Sequence, residues 1–99
     1  MTRAVRVLRR AERDLQEIYD FVSREAPLRA GPFIDVLLDA IDSLAETADR
    51  GPVPRDEVLR ERGFRFLVHR PYLVFHKVQR RQVRVYRVLH GKRAYRSLL

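Results

Sequence analysis

One change of hydrophobic period divides this chain. From Ala11 to Ala48 the apolar residues recur at helical spacing, and from Gly63 to His90 they alternate as strands do, so a helical part must bury itself against a sheet. Ala11, Leu15, Ile18, Tyr19 and Val22 mark one face of a first helix, with Glu12 and Asp14 read into its opening turn, where the helix dipole favours negative charge. Glu25-Ala26-Pro27 closes it. A second helix carries the wider stripe Ala30, Phe33, Ile34, Leu37, Leu38, Ile41, Leu44, Ala45 and Ala48, with Asp35, Asp39, Asp42 and Glu46 on the polar side. Pro32 lacks an N–H and is tolerated in a first turn, so the spacing predicts a start near Arg29 and a stop at Asp49-Arg50-Gly51-Pro52.

Ahead of the helices, Arg3 to Leu8 alternates, with Val5 and Val7 on one face, and reads as an opening strand. After Gly63, Phe64, Phe66 and Val68 alternate with Arg65, Leu67 and His69. Arg70-Pro71 then reverses the chain into Tyr72 to Val78, and Gln79 to Gln82 reverses it again into a last strand that is apolar on both faces. Links this short make an antiparallel meander with the last strand at its centre. The predicted order is β-α-α-β-β-β, a helical hairpin packed on one face of a mainly antiparallel sheet, which is a two-layer α+β fold. Residues 53–62 are charged and without period, and read as a mobile or binding loop.

With 99 residues and 45% hydrophobic content, residues 1–99 fit a single domain with one modest core. The absence of cysteine excludes a disulfide framework and a Cys-ligated zinc site. No apolar run approaches the roughly 20 residues of a membrane span, and arginines interrupt the first ten residues too often for a secretory signal, so a cytoplasmic protein away from the membrane is expected. Residues 1–49 carry seven arginines against ten acidic residues, or −3, whereas residues 50–99 carry fourteen basic residues against three acidic ones, or +11. Such asymmetry points to an anionic partner, nucleic acid or an acidic protein segment. Nineteen of the 21 basic residues are arginine, which favours bidentate contacts with phosphate or carboxylate.

Since the hairpin covers one sheet face, the other is expected to be open, with Arg65, Arg87, His69 and His90 on or beside it. Strict alternation groups Arg87 with Val83, Val85 and Leu89, so either a bulge lies near Tyr86 or Arg87 sits among apolar neighbours and needs a carboxylate or carbonyl partner. Both a structural and a functional role for it stay open. His69 and His76 have no partner at metal-ligand spacing and read as structural or surface residues. His90, followed by Gly91-Lys92-Arg93 and Tyr95, forms with Arg65 the set Arg65, His90, Arg93 and Tyr95 that a ribonuclease would need to polarise a 2′-hydroxyl and stabilise a pentacoordinate phosphate. No Gly-rich phosphate loop, G-x-S-x-G, H-E-x-x-H or nucleophilic triad is present, and the residues call for no metal or cofactor.

The succession Ala11-Glu-Arg-Asp-Leu-Gln-Glu-Ile-Tyr19, Phe33-Ile-Asp-Val-Leu-Leu-Asp-Ala-Ile41, Gly63-Phe-Arg65, Pro71-Tyr-Leu-Val-Phe75 and Arg87-Val-Leu-His-Gly-Lys-Arg93 resembles the RelE/ParE superfamily of toxins, in order and over nearly the whole chain. The resemblance implies a RelE/ParE-like β-α-α-β-β-β fold and the toxin role in a type II toxin–antitoxin pair. RelE-type members cut mRNA on the ribosome, whereas ParE-type members inhibit DNA gyrase. In the RelE pattern an arginine follows the tyrosine of the third strand, and here Leu73 follows Tyr72; the lysine-rich stretch expected before the second strand is replaced by Arg55 to Arg62, which has no lysine. The chain therefore leans to the ParE branch, with a RelE-like mRNA endonuclease and a plain nucleic-acid-binding module as the alternatives.

The resemblance also implies a cognate antitoxin whose acidic C-terminal segment folds on binding, in a hetero-oligomeric complex. Tyr19, Phe21, Phe33, Arg65, Arg87 and Arg93 are the residues expected to meet it. Arg87, His90, Lys92, Arg93 and Tyr95 are those expected to meet the target, with DNA gyrase first in line.

Overall fold

The structure, a computed structural model, describes residues 2–93 and 95–99. The elements are β1 (Ala4–Val7), α1 (Arg9–Glu25), α2 (Pro27–Asp42), α3 (Leu44–Thr47), a 3-10 turn (Ala48–Arg50), α4 (Glu57–Glu61), β2 (Phe64–His69), β3 (Tyr72–Val78), β4 (Gln82–His90) and a closing 3-10 turn (Tyr95–Leu98). The sheet order is β1-β4-β3-β2, so the last strand is central, as its two apolar faces require. β2, β3 and β4 form the antiparallel meander, while β1 joins β4 in parallel register from Ala4↔Gln82 to Val7↔Val85. A parallel pair needs a long crossover, which everything between the two strands supplies.

The helices bury their stripe against one sheet face. Ile18, Leu37, Ile41 and Leu44 meet Val74, Val83, Val85 and Val88, with Val5 and Val7 of β1 packed alongside. Each fully buried aliphatic side chain contributes about 1.5–3 kcal/mol, so these residues dominate the stability of the domain. Asp14 lies beyond the first turn of α1, which holds only Glu12, and is buried, so its role is not the dipole interaction expected of it. α2 begins at Pro27 rather than near Arg29, which places Pro32 inside the helix. The missing N–H of Pro32 leaves the Leu28 carbonyl without its helical partner; Leu28 is 93% exposed, so that turn is open to solvent.

Residues 53–62 are not a structureless loop. Asp56 caps α4 by accepting the Leu59 N–H at 3.1 Å, and Gly63, at φ 86°, ends it in the left-handed conformation that glycine adopts without a Cβ clash. Leu59 is fully buried and nucleates a second cluster with Phe64, Phe75 and Leu89, joined by Phe66, Leu73, Tyr86, Tyr95, Leu98 and Leu99. The sheet face expected to be open is thus partly covered by α4 and the C-terminal turn. Arg96 ties the two together through Asp56, 2.6 Å away, and this hydrogen bond holds the Asp56 carboxyl below its ordinary pKa.

In β4 the pairing steps from His76↔Val85 to Phe75↔Arg87, leaving Tyr86 as an extra residue. This bulge flips the strand's parity. Val83 and Val85 face the helices before it and Val88 does so after it, while Tyr86 and Leu89 turn to the second cluster. Both alternatives raised for Arg87 hold, since it follows a bulge and also has a carboxylate partner, Asp14.

Candidate functional site

The residues singled out in the sequence gather most closely at the end of the sheet where β3 begins and β4 finishes. Tyr72 and His90 are register partners there, and their rings meet edge-on at 5.7 Å. Phe33 of α2 packs on Tyr72 at 6.0 Å and on His69 at 5.7 Å, extending the aromatic row towards β2. Burial pushes the Tyr72 hydroxyl above its ordinary pKa, so it stays protonated near neutrality. His90 accepts the Lys92 N–H through Nδ1 at 3.1 Å, which puts the hydrogen of the neutral ring on Nε2. The Arg93 N–H closes the same turn on the His90 carbonyl at 3.0 Å.

Between this row and α1 lies a cleft lined by Glu17, Ile18 and Phe21 on the helix side and by His90 and Arg93 on the strand side. Phe21 is half exposed, and Arg93 and Lys92 reach solvent. Apolar surface flanked by both charge signs suits protein recognition. Glu17 and Tyr72 complete the cleft although the sequence reading did not single them out; each looked like an ordinary position of its element.

Tyr95 is elsewhere. Its ring stacks on Phe75 at 4.9 Å, in the cluster on the opposite sheet face, so His90 and Tyr95 are not brought together. A hollow beside it is lined by Pro52, Val53, Pro54, Phe66, Leu73 and Phe75, with Arg55 its charged member. Arg65 donates to the Gly51 carbonyl at 2.9 Å and stands opposite His76 in register, lining neither the cleft nor the hollow. His76 is fully buried, with Nδ1 on the Val74 carbonyl at 3.1 Å. Burial lowers its pKa and the nearby Arg65 charge adds to the effect.

Arg87, expected at the antitoxin and target surfaces, is withdrawn from solvent. Its Nε and Nη2 donate to Asp14 at 2.7 and 3.0 Å, and its Nη1 donates to the Leu98 carbonyl at 3.0 Å. The guanidinium is thus engaged within the fold, as the reading of a partnered Arg87 requires.

A separate groove runs along the outside of the helical hairpin between Glu12, Leu15, Gln16 and Tyr19 of α1 and Ile34 and Leu38 of α2. Tyr19 and Leu38 are 42% and 39% exposed and lie side by side in this groove, so together they present apolar surface to solvent. Phe33, by contrast, is largely committed to Tyr72 and His69. Among the described residues no group of His, Asp and Glu is placed to hold a metal ion, and no helix is long and apolar enough to cross a membrane.

Comparison with known proteins gives these surfaces a context. The model of the ParE toxin of the type II toxin–antitoxin system, parDE, matches residues 5–95. Among solved structures, the chromosomal ParDE toxin–antitoxin system from P. aeruginosa is similar, with 23% identity, a TM-score of 0.76, and coverage of 90% of this chain and 96% of that one. The toxin–antitoxin complex RelBE2 from Mycobacterium tuberculosis is similar at 22% identity and a TM-score of 0.63, covering 91% of this chain and 99% of that one. Comparison with curated protein sequences returned no match.

Proposed function

The chain belongs to the ParE toxin family of type II toxin–antitoxin systems, and from that premise we propose that it acts in the cytoplasm, arresting growth by binding DNA gyrase rather than by cutting RNA. The separation of His90 from Tyr95 by the thickness of the sheet carries this reading. A ribonuclease needs its proton carriers and its cation around one phosphate, and stabilisation of the charge developing there is worth several kcal/mol, about 2.7–4 for a single donor. Here the hollow next to Tyr95 holds one cation, Arg55, among Leu73, Phe66 and Phe75, with no His or carboxylate among the described residues lining it as a proton carrier. A protein-binding toxin needs an accessible mixed surface, and His90, Lys92 and Arg93 beside Phe21 supply one.

The two similar structures are toxin–antitoxin assemblies by description, and we extend an antitoxin partner to this chain. The groove at Tyr19 and Leu38 is the apolar seat for a helix that folds on binding, while Phe21, on the other side of α1, offers a second apolar contact in the cleft. Arg93, exposed at the far side of the cleft, and the basic second half attract the acidic residues of such a segment. Arg65 adds to this field from a half-buried position on Gly51.

Induced expression tests the reading. Growth should stop, with intact transcripts and gyrase-dependent DNA breaks, and recover when the neighbouring antitoxin frame is co-expressed. Ribosome-dependent mRNA cleavage abolished by Arg93→Ala would establish the nuclease instead.

A further inference from the structure

We propose that the sheet face turned away from the helical hairpin carries a binding site for a nucleic-acid phosphate backbone, built by Arg6, Arg84 and Lys77. Two register pairings that share Arg84 line these residues up. Arg6 of β1 pairs with Arg84 of β4, and Arg84 pairs with Lys77 of β3. Their neighbours Val5, Val7, Val83, Val85 and Val78 all enter the core under the helices, so by alternation the three cations emerge on the opposite face. Adjacent strands lie about 4.8 Å apart, which makes a cationic row running across the sheet rather than along a strand.

The row is held in place and left unneutralised. Lys77 Nζ sits 4.6 Å from the centre of the Phe64 ring and 5.1 Å from that of Tyr86, and the Arg84 guanidinium lies 5.7 Å from Tyr86. An aromatic floor restrains both side chains by cation–π attraction without cancelling their charge. Among the described residues none of the three forms an ion pair, and the buried Nε of Arg84 has no acceptor. Arg80 and Arg81, in the link between β3 and β4, extend the positive charge at this end of the sheet. The acids of α1 and α2 belong to the opposite layer; of those of α4, on this face, Asp56 is paired with Arg96, and Glu57 and Glu61 form no ion pair with the row.

The direction of the row selects the ligand. A peptide recognised by a sheet adds along an edge, parallel to the strands, where backbone hydrogen bonds are free. This row crosses the central strand, where none are, and offers only charge at intervals that follow a polyanion. The row offers charge rather than a groove-reading helix or ribbon, so binding is expected to depend little on sequence and to fall with salt as counterions are released. The inference does not depend on gyrase as the target.

Fluorescence anisotropy of a short labelled duplex of arbitrary sequence, titrated with the purified full chain at several salt concentrations, tests the proposal. Arg6→Gln and Lys77→Gln should each weaken binding several-fold and reduce the slope of log K against log salt by about 1. Arg6→Lys, which keeps the charge, should retain the slope. Arg9→Gln and Arg13→Gln remove equal charge from the exposed side of α1 and should change neither quantity. Circular dichroism confirms that each variant is folded. Unchanged affinity in the Arg6→Gln/Lys77→Gln double variant overturns the site, as does an equal loss in the α1 variants. Tighter binding of poly-glutamate than of the duplex assigns the row to an acidic peptide and overturns it too.

Discussion

Asp14 of α1 holds Arg87 of β4 in a two-pronged ion pair, and the same carboxylate accepts the Val88 N–H at 3.0 Å. The contact sits just past Val85, where β1 stops pairing with β4. A side chain on the helix thus continues the hydrogen bonding that the short parallel strand leaves unfinished. Through Nη1 of Arg87 the contact also reaches the Leu98 carbonyl, so one residue pair fastens the first helix, the central strand and the C-terminal turn.

Breaking the pair from either side should be costly. Both side chains are nearly inaccessible, at 7% and 4%, so Arg87→Met or Asp14→Leu alone leaves a buried charge and should cost about 3–5 kcal/mol in urea unfolding. The Asp14→Leu/Arg87→Met double variant should lose less than the sum of the two. Simple additivity would show that the residues act independently.

The short helix α4 depends on one anchor. Leu59→Ala should cost about 2–5 kcal/mol, because the residue is fully buried among Phe64, Phe75 and Leu89. Val58→Ala, at an exposed position in the same turn, should stay within about 0.5 kcal/mol. Equal melting temperatures for the two variants would mean that α4 is not anchored through Leu59.

Stability should decline in mild acid through His76. Its folded-state pKa is lowered from 6.5 by burial and by Arg65, against the Val74 and Ala48 carbonyls, which act the other way. Above 6.5 the ring is neutral in both folded and unfolded chains and contributes no pH dependence. As pH falls below 6.5 the unfolded chain takes up the proton first, so stability drops until the folded-state pKa is passed and then levels off. Thermal melts across this range should show the decline, and His76→Asn should remove that component whatever its melting temperature near neutrality.

Antitoxin binding and folding should respond to different aromatics. Tyr19→Ala and Leu38→Ala, both in the outer groove, should each weaken a purified toxin–antitoxin complex by more than about 1 kcal/mol while leaving the toxin folded. Phe33→Ala should instead lower the melting temperature of the toxin itself, since its ring packs on Tyr72 and His69. Calorimetric titration alongside thermal melts separates the two effects.

The order of helices and strands was legible because each long element repeats its apolar residues at its own period, as Leu37, Ile41 and Leu44 do in the helices and Val83 and Val85 in β4. α4 escaped notice since five residues are too few to show a period, and only Leu59 among them is fully buried. The sheet's second face read as open for the same reason, the covering residues being α4 and the C-terminal turn. Arg87 could be read as needing a partner, yet Asp14, far away in sequence, looked like a dipole-favoured residue until the fold placed it. The candidate site was legible in part. His90, Arg93 and Phe21 do share a cleft, but Tyr95 follows them too closely in sequence for its crossing to the other face to be foreseen.

The parallel pairing of β1 with β4 has a consequence for synthesis. The strand made first finds its neighbour in the strand made last, and the helical hairpin between them gains its valine floor only when Val83, Val85 and Val88 arrive. A nascent chain leaving the ribosome therefore has the two helices in hand but neither the centre of the sheet nor the wall of the cleft beside His90. A message that ends early yields a fragment without that surface, so any activity that uses the cleft is expected only of chains translated almost to completion.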